Sequence, residues 1–188
     1  FSFDFGGFIV DGGHSLKSKS SFLPSSASQA KPPQLLAHYD FPDDWEILLV
    51  ILDSKNTVNG QKEVNIFQDY CPVPKNEVEQ TSHIIFMNMI PFLLERDLPA
   101  FGHSIDEIQK RGFKNVEVSL QSQQIRDLMD KLREIGAYGV GMSSFGPTVY
   151  SVFDKNNKHI VEEIKEYVGN RGIVLTTKAQ NYGHKIQK

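Results

Sequence analysis

Residues 45–52, with the sequence WEILLVIL, restrict the possible folds more than any other segment of this chain. Apart from Glu46, every residue of the run is apolar. A continuous apolar run of strand length is typical of a central strand that is buried on both faces of a sheet. The sequence therefore predicts that the core of a sheet begins here.

The chain beyond residue 52 alternates between helix and strand patterns. The clearest helix is predicted at 122–136, because its apolar residues recur at helical spacing between Ser122, as N-cap, and Gly136, just past the end. The other predicted elements are a buried helix at 82–97 bent at Pro91, a second helix from Asp97, a half-exposed strand at 113–121, a strand at 148–153, a helix capped by Asn156 or Asn157 and ended by Gly169, and a strand at 172–177.

This succession of strands and helices favours an α+β fold, and we expect a ferredoxin-like sandwich with helices over one face of a mostly antiparallel sheet. Residues 5–11 and 32–42 are expected to pair as an antiparallel hairpin. Between them, residues 14–33 are rich in Ser, Lys, Ala and Pro without apolar periodicity, which indicates a mobile loop. The predicted organisation is a first region at 1–42 and a second domain at 43–188.

The charge of the chain argues against nucleic acid and anionic membranes as partners. A net charge of −3 and a pI of about 6.1, with scattered lysines, give no attraction for nucleic acid or an anionic membrane surface. No apolar run reaches the roughly 18 residues of a membrane span, so we expect a cytoplasmic protein. The single cysteine, Cys71, cannot form an internal disulfide, and no His or Cys lies near it at metal-ligand spacing.

Two glycine-rich segments are the candidate sites. FDFGGFIVDGG, residues 3–13, has paired glycines at both ends of a short strand, which indicates sharp turns or a close approach of the backbone to another group. GAYGVGMSSFGPTVY, residues 136–150, exposes backbone N–H groups and adds the hydroxyls of Ser143, Ser144 and Thr148. Such a turn can bind phosphate or carboxylate oxygens. A tight hairpin that uses glycine only for its backbone angles fits equally well.

FGGFIVDGG and GMSSFGPTVY together resemble the archaeal beta-ribofuranosylaminobenzene 5′-phosphate synthase family, a branch of the GHMP kinase superfamily. The segments FPDDWEILLVIL, NGQKEVNIF and DLPAFGHSIDEIQ are similar to the intervening blocks of that family, in the same order, so that the resemblance covers most of residues 3–153. The family often has Gln and Trp where this chain has Met142 and Phe145. The resemblance therefore implies contacts from the backbone, rather than from these two side chains.

The resemblance implies an enzyme that condenses phosphoribosyl pyrophosphate with an aminobenzoate or hydroxybenzoate, releasing pyrophosphate and carbon dioxide, as an early step of methanopterin biosynthesis. It also implies Mg²⁺, a GHMP-kinase-type C-terminal domain in this chain, and an N-terminal domain with a phosphate loop upstream of Phe1. The chain alone is then expected to have no turnover. We also expect small-molecule substrates and a possible homodimer as the partners of this chain.

The resemblance implies a pyrophosphate leaving group, and the chemistry of that group indicates which residues could form the site. Pyrophosphate needs N–H donors and cations as its bond to the sugar breaks, and an oxocarbenium-like sugar favours a nearby carboxylate. Asp11 is the candidate for that carboxylate, while an aspartate that only caps the following turn is equally expected. The candidate phosphate-binding residues are Gly6, Gly7, Gly12, Gly13, Gly139, Gly141, Ser143, Ser144, Gly146 and Thr148.

Two other functions stay open at this point. A small-molecule kinase of the same superfamily would use the same late glycine motif with ATP and a sugar or acid. A non-catalytic module that binds a ligand or dimerises is also compatible with a ferredoxin-like domain, because a fold by itself does not settle function. The family-like blocks favour the synthase.

Overall fold

The computed structural model describes residues 1–13, 23, 32–53, 58 and 60–185, so most of the predicted loop at 14–33 lies outside the described residues. The chain forms two compact units. The first unit consists of Phe1–Asp43, Asn59–Pro72 and Ala179–Lys188, and the second unit of Asp44–Val58 and Val73–Lys178. Residues 59–72 and 179–188, which the sequence assigned to the second domain, thus lie in the first unit.

The first unit is built around a two-stranded sheet. Strands β1, Phe8–Asp11, and β2, Leu35–Tyr39, pair antiparallel, which confirms the predicted hairpin. The unit also contains the short helix α1, Ser2–Phe5, and the helix α2, Gly60–Tyr70.

A two-stranded sheet is marginally stable by itself, and the C-terminal segment supplies further contacts to it. The side chain of Asn181 both accepts from the Phe41 N–H and donates to the Phe41 carbonyl, each at 2.8 Å. The ring of His184 stacks on Phe3 with 4.0 Å between ring centroids. The chain therefore returns to its own beginning to complete this unit.

The second unit contains a four-stranded antiparallel sheet in the order β4-β5-β3-β6. Strand β3 lies between β5 and β6, which confirms the central strand predicted from WEILLVIL. The strands are β3, Glu46–Leu52; β4, Tyr138–Met142; β5, Thr148–Phe153; and β6, Gly172–Thr177.

The core of the second unit lies between one face of this sheet and two amphipathic helices, α7 at Gln123–Glu134 and α8 at His159–Val168. Leu48 and Val50 from the sheet pack with Leu128 and Ile164 from these helices, and all four side chains are fully buried. The other face is covered along β4 by α5, Leu98–Gln109. The helices of this unit are α3, Lys75–Ile84; α4, Ile90–Glu95; α5, Leu98–Gln109; α6, Gly112–Ser119; α7, Gln123–Glu134; and α8, His159–Val168.

The strand predicted at 113–121 is wrong, since these residues form most of helix α6. The valines that suggested alternation, Val116 and Val118, are only two residues apart, which is less than one helical turn. The helix is instead favoured by tertiary contacts: the Glu77 carboxylate accepts from the Gly112 N–H at 3.0 Å, at the first residue of α6. An acceptor at a helix N-terminus satisfies one of its orphan donors, and such a contact overrides local strand propensity.

The helix predicted at 82–97 differs in its distortion and its burial. The irregular turn is π-helical and spans Ile85–Met89, before Pro91 and not at it. Phe86, Met87 and Leu94 are 51%, 62% and 58% exposed, so the helix is not buried on all sides.

The predicted N-cap of α8 is also absent. Asn157 accepts from the Asp154 N–H at 2.9 Å, and Lys158 is the N-cap residue. Among the described residues, no helix has the length and apolarity that crossing a bilayer requires.

Candidate functional site

The turn between β4 and β5 contains half of the predicted site residues of the second unit, namely Ser143, Ser144 and Gly146. It closes through two backbone hydrogen bonds: the Ser143 N–H donates to the Thr148 carbonyl at 2.9 Å, and the Gly146 N–H donates to the Ser143 carbonyl at 2.8 Å. Ser144 and Gly146 have positive φ angles of 47° and 67°. We call residues 143–147 the hairpin loop. Its two serines are exposed.

Side chains from α5 and from the region of α6 hold this loop and the end of β4. The Gln109 side chain accepts from the Met142 N–H at 3.1 Å, and the Gln121 side chain donates to the Phe145 carbonyl at 2.9 Å. Both glutamines are buried, with 4% and 8% exposure. A buried polar side chain whose hydrogen bonds are satisfied gives a loop one defined conformation. The hairpin loop is therefore tied to neighbouring helices and does not depend on glycine angles alone.

Lys114 on α6 is the cation at this loop. Its ammonium group donates to the Met142 carbonyl at 3.3 Å and to the Ser144 carbonyl at 3.4 Å. It also forms an ion pair with Glu117, one helical turn further along α6. The residues that hold this region were not predicted, because they follow no motif and because α6 was predicted as a strand; they are Gln109, Lys114, Glu117 and Gln121.

The remaining donors of the loop are available for a ligand. Within the described part of the chain, the Ser144 N–H and the hydroxyls of Ser143 and Ser144 have no hydrogen-bond acceptor. Backbone N–H groups and hydroxyls in a turn are the donors that bind phosphate oxygens. An anion site at Ser143 and Ser144 stays a prediction. Thr148, also predicted, is half-buried at the start of β5.

Packing accounts for the glycines of β4. Gly139 has a φ of +61°, and a Cβ there would lie 2.8 Å from the Ile105 side chain and 2.9 Å from the Cα of Gly102 on α5. A Cβ on Gly141 would overlap the ring of Tyr150, its cross-strand neighbour. At Gly139, β4 and α5 approach each other closely, and at Gly141 the ring of Tyr150 covers the strand. Their assignment as phosphate contacts stays a prediction.

Tyr150, the residue over Gly141, is largely removed from water. Burial raises the pKa of its hydroxyl to about 12, and the nearby Asp106 carboxylate adds to the rise. The phenol therefore stays neutral over the physiological pH range. Its role here is to cover the glycine of β4.

The turn that follows β1 in the first unit has a simpler construction. The Asp11 carboxylate accepts from the Gly13 N–H at 2.9 Å, and the Gly12 N–H donates to the Gln34 carbonyl at 2.9 Å. Asp11 is exposed, and Gly13 has a φ of +62° with no described atom within 4 Å of where a Cβ would stand. The bond to Gly13 is the turn-capping contact expected of an aspartate here. A catalytic role for Asp11 stays a prediction.

The glycine pair at the start of β1 permits a close backbone approach. The Gly7 N–H donates to the Gln180 carbonyl at 2.6 Å. Gly6 has a φ of +72°, and a Cβ on it would overlap the backbone of Gln180 and lie 2.6 Å from the Tyr182 nitrogen. The group that approaches this segment is thus the chain's own C-terminal segment. Phosphate binding by Gly6, Gly7, Gly12 and Gly13 stays a prediction.

A magnesium ion would obtain few ligands from these residues alone. Among the described residues, no group of three or more His, Cys, Asp or Glu side chains could hold a metal ion. Magnesium at phosphate sites commonly takes only one or two carboxylates and completes its shell with water and substrate phosphates. A magnesium ion at this site therefore stays a prediction.

Comparison with known families and proteins agrees with the resemblance seen in the sequence. Residues 89–173 match the family described as GHMP kinases C terminal. Three curated relatives carry the name beta-ribofuranosylphenol 5′-phosphate synthase. The protein from Methanothermobacter thermautotrophicus is 50% identical over 97% of this chain, that from Methanocaldococcus jannaschii 46% over 98%, and that from Archaeoglobus fulgidus 45% over 98%. The chain covers 55%, 56% and 58% of their lengths, respectively.

Solved structures give the same fold at low identity. Homoserine kinase from Cytophaga hutchinsonii matches 95% of this chain and 50% of its own, with a TM-score of 0.64 and 14% identity. Mevalonate diphosphate decarboxylase from Staphylococcus aureus matches 77% of this chain and 48% of its own, with a TM-score of 0.52 and 14% identity. These matches concern the fold alone. The structure itself confirms the predicted α+β fold, the family match over residues 89–173 confirms the predicted GHMP-kinase-type C-terminal domain, and the relatives confirm the predicted resemblance. The ferredoxin-like arrangement stays a prediction.

Proposed function

We propose that this chain is the C-terminal part of a beta-ribofuranosylphenol 5′-phosphate synthase of methanopterin biosynthesis. The observation that carries the proposal is the identity of 45–50% to three relatives of that name across 97–98% of the chain. The chain spans about half the length of these relatives, so the complete active site needs the part that they have in addition. We therefore expect no turnover from the 188-residue chain alone.

The name of the relatives favours one of the two acceptors. A phenol product requires a hydroxybenzoate rather than an aminobenzoate as the aromatic substrate. In the balanced reaction, the ring carbon that bears the carboxylate forms a bond to C1 of the ribose, and the C1–oxygen bond to pyrophosphate breaks. The carboxylate then leaves as carbon dioxide, and its bonding electrons return to the ring. No oxidant or reductant is needed.

The hairpin loop is suited to the leaving group of this reaction. As the C1–oxygen bond breaks, negative charge grows on the pyrophosphate, and donors already fixed in place stabilise it without reorganisation. The Ser144 N–H and the hydroxyls of Ser143 and Ser144 are such donors on a loop held by buried glutamines. When bound, Mg²⁺ would add positive charge at the same oxygens. This loop is our candidate for the pyrophosphate contact.

An assay with carboxyl-labelled substrate tests the proposal. The protein at the full length of its relatives is incubated with phosphoribosyl pyrophosphate and labelled hydroxybenzoate, and labelled carbon dioxide and pyrophosphate are both measured. We expect equimolar amounts of the two products, much less of either with aminobenzoate, and neither from the 188-residue chain. If the long protein instead consumed ATP and released no carbon dioxide, it would be a kinase and the proposal would be wrong.

A further inference from the structure

Lys114 has all its donors committed within the protein. A lysine ammonium group has three N–H donors. Here they face three acceptors: the Glu117 carboxylate, the Met142 carbonyl at 3.3 Å and the Ser144 carbonyl at 3.4 Å. Although Lys114 is the cation next to the candidate anion site, it has no N–H left for a substrate oxygen. Its contacts are with the backbone of the loop.

The ion pair is largely withdrawn from water. The side chains of Lys114 and Glu117 are 23% and 10% exposed, whereas the i,i+3 pair of Lys165 and Glu162 on α8 is 50% and 78% exposed. Removing two charges from water costs several kcal/mol per ion, and their attraction often does no more than offset that cost. A half-buried ion pair therefore adds little net stability to the fold, but it can fix the positions of the backbone carbonyls that it contacts.

The two carbonyls determine which way the loop amides face. The peptide bonds after Met142 and Ser144 are trans, and a trans peptide directs its C=O and its N–H to opposite sides. These two carbonyls belong to the peptides on either side of the one that carries the Ser144 N–H, so holding both of them fixes the direction of that N–H. The Ser143 N–H is itself bonded to the Thr148 carbonyl and is not offered to a ligand.

We propose that Lys114, held by Glu117, is a positioning residue that orients the hairpin loop for a pyrophosphate group without contacting it. This inference rests on the proposed function. It predicts that loss of Lys114 weakens recognition of the diphosphate selectively, since the acceptor ring has no part in these hydrogen bonds. Arginine keeps the positive charge and offers several N–H donors, so it should substitute for Lys114.

The test compares variants in the protein at the full length of its relatives. They are Lys114→Met, Lys114→Arg, the double variant Lys114→Met with Glu117→Met, and Lys165→Met as the control that removes an exposed i,i+3 pair. For each, the KM of both substrates and kcat are measured, together with the Kd for inorganic pyrophosphate by calorimetry and the Tm.

We expect Lys114→Met to raise the KM for phosphoribosyl pyrophosphate and the Kd for pyrophosphate about tenfold, one decade in affinity. The KM for hydroxybenzoate should not change. Lys114→Arg should stay within about threefold of the wild type. The double variant should recover the Tm, because it leaves no unpaired buried carboxylate, but it should keep the weakened pyrophosphate binding.

Two results would overturn the inference alone. One is a double variant that regains wild-type pyrophosphate affinity together with its Tm, since the pair would then act only on stability. The other is a Lys114→Met protein that behaves like Lys165→Met. If Lys114→Met does not fold, the pyrophosphate Kd of the double variant and of Lys114→Arg tests the inference in its place. A wild-type protein that neither turns over nor binds pyrophosphate would instead overturn the proposed function, and this inference with it.

Discussion

The turn after β1 and the hairpin loop between β4 and β5 are both rich in glycine, but they are held in different ways. The first is closed by its own aspartate, Asp11, and by a backbone contact to Gln34. The second is held by side chains of other elements, with Gln109 and Gln121 buried and Lys114 paired to Glu117. Glycine content alone therefore does not identify an anion site, and the side chains that support a turn distinguish the two.

The same contrast extends to the two units. Among the described residues of the first unit, the large apolar side chains that are buried are those of Phe41 and Ile66. The C-terminal segment is attached to this unit by the two hydrogen bonds between the Asn181 side chain and the backbone of Phe41. The second unit has a continuous apolar core between its sheet and two helices. Hydrogen bonds and turn geometry thus dominate the first unit, and packing dominates the second.

The largest effect is expected from adding a methyl group where the second unit is most tightly packed. Gly139→Ala places a Cβ against α5 at a positive φ, so we expect a loss of about 3 kcal/mol in the free energy of unfolding. Gly136→Ala, at a φ of +84° in open space, is the matched control and should cost about 1 kcal/mol. Urea unfolding followed by the fluorescence of Trp45, a fully buried residue of this unit, measures both. Equal losses would contradict the packing explanation of Gly139.

The second prediction concerns the turn of the first unit. If the Asp11 carboxylate acts on the developing positive charge of the ribose, Asp11→Asn in the full-length protein lowers kcat and kcat/KM by about a hundredfold, or about 2.7 kcal/mol. The Tm should change little, since asparagine keeps an oxygen that can accept from the Gly13 N–H. Asp40→Asn, an exposed aspartate at the other end of the hairpin, is the control. An unchanged kcat with a slightly lower Tm would restrict Asp11 to capping its turn.

A smaller effect is expected where the C-terminal segment joins the first unit. Asn181→Ala removes both side-chain hydrogen bonds to the backbone of Phe41. We expect the amide of Phe41 to exchange its hydrogen about ten times faster, which corresponds to about 1.4 kcal/mol of local stability. Asn170→Ala, at an exposed position of the second unit, should leave this rate unchanged. Unaltered exchange in Asn181→Ala would show that the segment does not hold the first unit.

Periodic segments of the sequence predicted the fold well, and tertiary contacts explain where prediction failed. The apolar spacing of 122–136 and the apolar run of β3 depend on local pattern, and both elements are present. Helix α6 was mispredicted because its N-terminus is stabilised by Glu77, which lies 35 residues from Gly112. No local pattern carries that information.

The candidate site was predicted only in part, for a related reason. The serines of the hairpin loop stand in a glycine-rich motif that can be read directly from the sequence. The residues that hold the loop are Gln109, Lys114 and Gln121. They belong to other elements and lie 24 to 33 positions from the residues that they contact. Ordinary residues in ordinary helices give no signal until the fold brings them together.

We propose that the hairpin loop, and not the turn after β1, receives the pyrophosphate group. Titration of the isotope-labelled, full-length protein with inorganic pyrophosphate, followed by the backbone amide resonances in NMR spectra, tests it most directly. We predict that the Ser144 amide, which has no acceptor among the described residues, shows a large saturable shift, and that Lys114→Met weakens this response. A Ser144 resonance that does not move, with shifts confined to Gly12 and Gly13, would contradict the account.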